Sequence, residues 1–139
     1  MKTDPAKRVR DKGLKATPAR LAVLAVLEGD HLAHSHADLE GLFDTMDRVT
    51  LYRVLNDFEN VGLLHKVIDN AGVTRFGVCK HSCPGEHHVD GHVHFNCLNC
   101  DKMFCMEDTI MPVLQVKKGF VIQGTQMLIC GLCKSCNAA

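Results

Sequence analysis

Apolar residues recur at helical spacing in three stretches of the first half of the chain. Thr17 suits the cap and Pro18 the first turn of one helix. Asp47 and Thr50 give another stretch a polar N-terminus, and Gly62 suits its end. The pattern therefore predicts three helices, over residues 17–29, from 35 or 36 to about 46, and over 47–62.

Alternation of apolar and polar residues replaces the helical spacing after Gly62. A turn at residues 70–72, Asn-Ala-Gly, is typical of a hairpin. Beyond Gly91 the alternation returns on both sides of one short helical segment. The predicted strands cover residues 63–68, 73–78, 92–97, 102–106 and 120–129, and the predicted helix covers 109–116.

Three helices followed by a hairpin are typical of a winged helix-turn-helix. The sequence therefore predicts an α+β fold. We expect the N-terminal winged helix-turn-helix domain over residues 1–80, a hinge rich in metal ligands over 81–91, and a small α/β domain over 92–139. A unit of that size buries little apolar surface alone, so it needs a metal ion or a second copy.

Composition and charge exclude several classes of protein. The chain has 139 residues and 46% hydrophobic content, which fits an ordered domain. Its longest apolar run, Leu21–Leu27, is far shorter than the ~20 residues of a membrane span. The charged N-terminus lacks the apolar segment of a secretory signal, so we expect a cytoplasmic protein without membrane contact. Residues 1–20 are strongly basic, and this could present a positive face to a polyanion.

All eight cysteines lie in the second half of the chain, and most are paired at metal-knuckle spacing. One knuckle is Cys97-x-x-Cys100, and the other lies within Cys130-x-x-Cys133-x-x-Cys136. Two knuckles predict a four-cysteine zinc site. Either pair of the second run could contribute, and we favour Cys133 and Cys136. The run also matches part of an iron–sulfur ligand pattern, although the following Cys and Pro are missing.

A second group of metal-ligating side chains lies between residues 79 and 94. Sulfur, imidazole and carboxylate donors are crowded there, including Cys79 and Cys83. His92 and His94 would share one face of a strand and could bind the same ion. We therefore expect a second, separate metal site.

The third predicted helix is the candidate for reading DNA, since its polar side carries groups that bind bases and phosphates. Arginine can bind guanine bidentately, and hydroxyl groups can hold phosphate. Tyr52 could instead be a core aromatic residue. The exposed candidates are Arg48, Thr50, Tyr52, Arg53 and Asn56.

Four segments together resemble the ferric uptake regulator family of metal-sensing repressors, from about Gly13 to Cys136. They are the segments 13–20 (GLKATPAR), 49–56 (VTLYRVLN), 92–100 (HVHFNCLNC) and 133–136 (CKSC). The resemblance implies that the winged helix binds a palindromic operator on double-stranded DNA and that the C-terminal α/β domain dimerises. It also implies no small-molecule substrate.

The resemblance assigns roles to individual residues. It implies that structural zinc is held by Cys97, Cys100, Cys133 and Cys136. Tyr52 and Arg53 would contact DNA, and Lys15 would lie near the minor groove. His92 and His94 would belong to the sensory site.

Departures from the family pattern concern the sensed metal. Iron- and peroxide-sensing members tend to have a carboxylate where this chain has Gly77, and Cys79 resembles the zinc uptake regulator branch. Thiolate with imidazole also suits Zn2+ better than Fe2+ or Mn2+. Further candidate ligands are His34, Cys83 and Cys105.

We therefore predict a homodimeric, metal-responsive transcriptional repressor, with one structural zinc and a second regulatory ion, most simply Zn2+, as corepressor. The alternatives are an iron- or redox-responsive member of the same family and a zinc-buffering protein. Catalysis is not expected, because a zinc deaminase would need a Glu two residues after its ligand His, and His92-Val-His94 offers none.

Overall fold

The computed structural model describes residues 4–78, 93–106, 109 and 112–138. The helices are α1 (Pro5–Asp11), α2 (Pro18–Asp30), α3 (His36–Leu42), α4 (Arg48–Asn60) and α5 (Lys134–Ala138). The strands are β1 (Leu32–Ser35), β2 (Leu64–Ile68), β3 (Thr74–Val78), β4 (Val93–Cys97), β5 (Met103–Met106) and β6 (Met127–Gly131). The predicted α+β class is confirmed.

Side-chain caps fix where the central helices begin. The Thr17 hydroxyl accepts the Arg20 N–H at the start of α2, and Pro18 occupies its first turn. Ser35 and Asp38 form a reciprocal capping box at the start of α3. The Asp47 carboxylate accepts the Thr50 N–H at 2.6 Å and begins α4.

The main core is helical and lies in the N-terminal half. Leu24 and Leu27 of α2 pack with Leu55 and Phe58 of α4, and all four side chains are buried. Val9 extends this core to α1, which is also held to α2 by an ion pair between Arg8 and Glu28. Full burial of each large apolar side chain contributes about 1.5–3 kcal/mol, so this core orients α4 firmly.

One six-stranded sheet joins the two halves, in the order β2-β3-β1-β5-β4-β6. Strand β1 is shared: His34 pairs with Phe76 of β3, and Leu32 pairs with Phe104 of β5. Only the β4–β6 pairing is parallel among the described strands. The N-terminal hairpin is therefore connected to the C-terminal strands through backbone pairing.

The sheet curls so that its two outermost strands approach each other. Val67 of β2 lies in a small core with Ala33 and Met103, and Leu128 of β6 packs against it. Gln126, next to β6, also binds the backbone of Ile68: its Oε1 accepts the N–H at 3.2 Å and its Nε2 donates to the carbonyl at 3.0 Å. This side chain bridges β2 and the start of β6.

Several predicted elements differ from the observed ones. Helix α1 and strand β1 were not predicted, because each is short and is formed by packing or pairing with distant residues. The second helix ends at Leu42, since Phe43 leaves helical geometry. The predicted hinge at 81–91 lies outside the described residues.

The segment after β5 contradicts the prediction of a helix at 109–116 and a strand at 120–129. Its described residues have no helix, and the strand begins only at Met127. Apolar spacing misled the prediction, because these side chains do not pack into the core of one chain. Those exposed are Val113, Leu114, Val116, Phe120, Val121 and Ile122.

Within the described ranges, each helix is too short or too polar to cross a bilayer.

Candidate metal centres and DNA-facing helix

Four cysteine sulfurs converge at the end of β4. Cys97 is the last residue of β4, and Cys100 follows after a tight turn. Cys133 directly precedes α5, and Cys136 lies within it. All four Sγ atoms lie within 4.8 Å of one another, and the Cys100 and Cys133 sulfurs are 3.8 Å apart. Tetrahedral zinc with Zn–S bonds near 2.3 Å requires S···S distances of about 3.8 Å, so the cluster fits Zn2+.

Backbone amides prepare this cluster for a cation. The Cys97 sulfur accepts the N–H groups of Cys100 at 3.5 Å and Cys133 at 3.4 Å. These two hydrogen bonds lower the pKa of the Cys97 thiol to about 6. The Asn99 amide lowers the pKa of Cys136, but the neighbouring thiols, Cys133 first, together with burial outweigh it and raise that pKa to about 11. Neighbouring thiolates repel one another, so these thiols do not all ionise together. A bound divalent cation would remove this repulsion and stabilise the thiolates.

The cluster contains the four cysteines expected from the sequence. Cys130 lies on β6, but its side chain is exposed and it is not part of the group. Of the two pairs in the second run, the structure therefore brings Cys133 and Cys136 to the first knuckle. Their role as zinc ligands stays a prediction.

A second group of possible ligands lies between the hairpin and the C-terminal strands, with both histidines buried and the cysteine half-buried. It consists of His65 on β2, His94 on β4 and Cys105 on β5. The Nε2 atoms of His65 and His94 are 2.8 Å apart, and their rings are tilted by 53°. The ligating nitrogens of two imidazoles on one tetrahedral zinc ion lie about 3.3 Å apart, given Zn–N bonds near 2.05 Å. A small increase in the distance between the two rings would therefore make room for a zinc ion.

Two cross-strand pairs build this second group. His94 lies directly opposite Cys105 in the C-terminal sheet, and His65 lies opposite Gly77 in the hairpin. A Cβ atom at position 77 would lie 3.2 Å from the His65 Nε2. Gly77 therefore leaves the space that the imidazole occupies. Where a carboxylate was expected for an iron-sensing relative, this chain has room for a histidine from the neighbouring strand.

The predictions for the regulatory site have mixed outcomes. His94 and Cys105 lie in the second group, as the sequence suggested for each. His34 does not: its Nε2 lies 2.7 Å from an Asp30 carboxylate oxygen. Cys79, Cys83 and His92 lie outside the described residues.

His65 was missed by sequence reasoning. It lies in an alternating strand beside apolar residues, where a lone histidine carries no spacing signal. Its only sequence clue is its register opposite Gly77, which could be found by pairing the two strands of the hairpin.

Helix α4 separates a buried face from a polar one. Leu51, Val54, Leu55 and Phe58 are buried. Tyr52, by contrast, is 63% exposed, which excludes the alternative that it is an aromatic residue of the core. Lys15, Arg53 and Asn56 are also exposed. Thr50 is half-buried in the first turn, and the Arg48 Nε donates to Glu40 at 2.8 Å. The predicted DNA-facing residues therefore remain available on α4 and the loop before α2.

The ferric uptake regulator family model matches residues 11–129. The chain is 30% identical over 138 residues to the ferric uptake regulation protein of Bordetella parapertussis, with 93% of this chain and 94% of the relative covered. It resembles a solved zinc uptake regulator complexed with zinc and DNA, at 27% identity and a TM-score of 0.68, covering 95% of this chain and 89% of the other. The Vibrio cholerae ferric uptake regulator has a TM-score of 0.61 at 21% identity, covering 94% and 100%. The chain belongs to the ferric uptake regulator family, whose members are metal-responsive transcriptional regulators and not enzymes.

Proposed function

We propose that this chain is a zinc-responsive repressor that acts in the cytoplasm as a homodimer on a palindromic DNA operator. The observation that carries the zinc assignment is the group of His65, His94 and Cys105. Two imidazoles and a thiol are softer donors than the oxygen-rich sets that suit Mn2+ and Mg2+. The iron-sensing alternative has the support of the ferric uptake regulation proteins among the curated relatives and of the ferric uptake regulators among the similar structures.

Helix α4 would enter the major groove. Its exposed Tyr52 and Arg53 lie beside one another on the polar face, and Asp47 fixes the N-terminus through the Thr50 N–H. Arg48 and Thr50 would contribute from the first turn, and Lys15 would reach the adjacent minor groove. Arginine contacts to a base edge are worth about 1–3 kcal/mol each.

The two metal groups would have different roles. The four cysteines would hold structural zinc that remains bound. His65, His94 and Cys105 would hold the regulatory ion, with Cys79 and His92 as further ligands expected from the sequence. Zinc at this second group would cross-link the hairpin to the C-terminal strands. Since the hairpin is continuous with the core that carries α4, the ligands would bias the orientation of the DNA-reading helix.

Dimerisation would cover the apolar segment after β5. Val113 is 94% exposed, and Phe120 and Val121 are 68% and 83% exposed. A short segment with this many exposed apolar side chains is unfavourable in water and marks an interaction surface. A second copy would bury it and set the spacing of the two α4 helices to successive turns of the duplex.

The test begins with DNA selected by the purified protein from random duplexes in zinc. Binding is then measured at buffered free Zn2+, Fe2+ and Mn2+. We expect Zn2+ to restore DNA binding at a lower free concentration than Fe2+ or Mn2+ does. We expect Arg53→Ala to weaken DNA binding at least tenfold, a loss of about 1.4 kcal/mol. Lys102→Ala removes a charge from an exposed position of the C-terminal half, outside α4 and outside the segment proposed to dimerise, and should have little effect. Restoration by Fe2+ instead would favour the iron-sensing alternative, and zinc binding without DNA binding would favour a buffer.

A pair of variants separates the ligands seen in the structure from those expected from sequence. His65→Ala removes one member of the described group. The double variant Cys79→Ala, His92→Ala removes the two further ligands that are expected from the sequence. If the double variant needs the same zinc concentration as wild type for DNA binding, Cys79 and His92 are not regulatory ligands.

A further inference from the structure

One buried arginine joins the hairpin turn to the first cysteine knuckle. Arg75 lies on β3, and only 7% of its side chain is exposed. Its Nε donates to the Asp69 carboxylate at 2.9 Å, and its Nη2 donates to the Asp101 carboxylate at 3.0 Å. Asp69 precedes the turn of the hairpin, whereas Asp101 directly follows Cys100. The same guanidinium therefore binds carboxylates from both halves of the molecule.

The knuckle fixes where the Asp101 carboxylate lies. Asp101 has a left-handed backbone with φ 63°, and its N–H donates to the Cys97 carbonyl at 3.0 Å. The position of this residue is thus tied to the turn between Cys97 and Cys100. A change in that turn would move the carboxylate away from Arg75.

Asp69 organises the other end of this link. Its Oδ1 accepts the N–H groups of Ala71 and Val73, both at 2.9 Å, while Oδ2 accepts from Arg75. The hairpin turn and Arg75 consequently form one hydrogen-bonded unit. Asn70 adds a longer contact to the C-terminal half, because its N–H donates to the Asn96 Oδ1 at 3.4 Å.

We propose that Arg75 is a positioning residue that transmits the state of the four-cysteine site to the hairpin. With the knuckle held by metal, Asp101 binds Arg75 beside Asp69 and the hairpin turn is fixed to the C-terminal half. With the knuckle loosened, Arg75 retains Asp69 alone and the hairpin separates more readily from the C-terminal half. The four-cysteine site thereby acts on the DNA-binding half by a route that bypasses His65. The inference rests on the proposed function at one point, the binding of zinc by the four cysteines.

The test compares Asp101→Asn with Asp44→Asn in the full-length, zinc-loaded protein. Asparagine keeps the shape of aspartate and tolerates left-handed backbone, so Asp101→Asn removes the charge with little strain. Asp44 is an exposed carboxylate for which the described residues show no ion pair, and it provides the matched change of charge. Hydrogen exchange by mass spectrometry follows residues 69–78 and, as an internal reference, α4. Elemental analysis gives the zinc content of each sample.

We expect Asp101→Asn to raise exchange in the hairpin about 5- to 10-fold, with α4 and the zinc content unchanged. For the chelation arm, mild chelation first takes the exchangeable ion from wild type and variant alike, so that only the four-cysteine zinc remains. Removal of this remaining zinc from wild type by a strong chelator should raise hairpin exchange by a similar factor. The same treatment of Asp101→Asn should add little, because the link is already broken. If Asp101→Asn loosened the hairpin without breaking a link to the four-cysteine site, chelation would still raise hairpin exchange in the variant as much as in wild type.

Two results would overturn the inference. One is equal hairpin exchange in Asp101→Asn and Asp44→Asn. The other is a full response to chelation in Asp101→Asn, since zinc would then act by a different route. If the wild type holds no zinc at all, the structural-zinc part of the proposed function fails, whereas the comparison of the two variants still decides whether Arg75 links the knuckle to the hairpin.

Discussion

The two metal-ligating groups differ in how the chain builds them. Each half of the four-cysteine group comes from one Cys-x-x-Cys knuckle, and one backbone amide from each knuckle binds the Cys97 sulfur. The second group takes His65, His94 and Cys105 from three strands, β2, β4 and β5. It exists only while the hairpin lies against the C-terminal strands.

Because of this difference, we expect the two groups to have different functions. A knuckle keeps its two thiols together whatever the rest of the chain does, so metal there stabilises its own half of the molecule and would act on the hairpin only through Asp101 and Arg75. A group assembled across the curled sheet binds metal only in one arrangement of the hairpin. Binding at the second group is therefore linked to that arrangement, and this linkage is what a sensor needs.

The largest expected effect is the loss of structural zinc from Cys136→Ser. Removing one of four thiolates should leave the purified chain with no tightly held zinc and should abolish cooperative unfolding of the C-terminal half, because structural zinc contributes about 10 kcal/mol or more in small domains. Zinc content and calorimetry measure both effects. The control Cys130→Ser lies on β6 outside the group and should retain zinc. Loss of zinc from the control and not from Cys136→Ser would reassign the second knuckle.

The next effect concerns the exchangeable ion. His65→Ala should weaken binding of the second zinc about 100-fold or more, since a direct ligand matters at least as much as its supporting contacts. Equilibrium dialysis against buffered zinc measures this directly. His34→Ala is the control, because His34 binds Asp30 and lies outside the group. Equal zinc affinity of His65→Ala and wild type would remove His65 from the site.

The pH dependence of zinc binding should follow the cysteine pKa values. In the metal-free chain at pH 7, Cys97 is mostly thiolate with a pKa of about 6, whereas Cys136 is protonated with a pKa of about 11. Zinc binding must release the Cys136 proton together with any other thiol proton still bound, so affinity falls at least tenfold per pH unit as the pH decreases, and more steeply below pH 6 where Cys97 also protonates. Competition with a calibrated chelator between pH 5 and 8 gives the slope. Affinity that is constant over this range would contradict the assignment.

The smallest effect tests the space around His65. A methyl group at position 77 would press on the imidazole, with Nε2 at 3.2 Å and Cε1 at 3.4 Å. Gly77→Ala should therefore weaken the exchangeable zinc about 5-fold and leave the structural zinc in place. Gly124→Ala is matched in size and meets nothing within 4 Å. Equal zinc affinity in these two variants would show that Gly77 is not needed to accommodate His65.

Local patterns predicted much of the molecule. Thr17 and Pro18 marked α2, and the paired spacing of cysteines predicted two knuckles, although it left open which pair of the second run would contribute. The buried face of α4 followed from helical periodicity alone. In each case the information lies within a few adjacent residues, so the sequence carries it directly.

Features that depend on distant pairing were missed. Strand β1 is only four residues long and is formed by its partners β3 and β5. His65 joins His94 only because the sheet curls, which no short pattern encodes. Apolar spacing also predicted a helix at 109–116, although these side chains have no core in a single chain to pack against.

The most direct test measures DNA binding against buffered free zinc for wild type and His65→Ala, after elemental analysis has verified that each retains its tightly held zinc. The account predicts that the variant reaches the same maximal affinity, but at a free zinc concentration about 100-fold higher. Coincident zinc midpoints for the two proteins, with structural zinc intact, would contradict it.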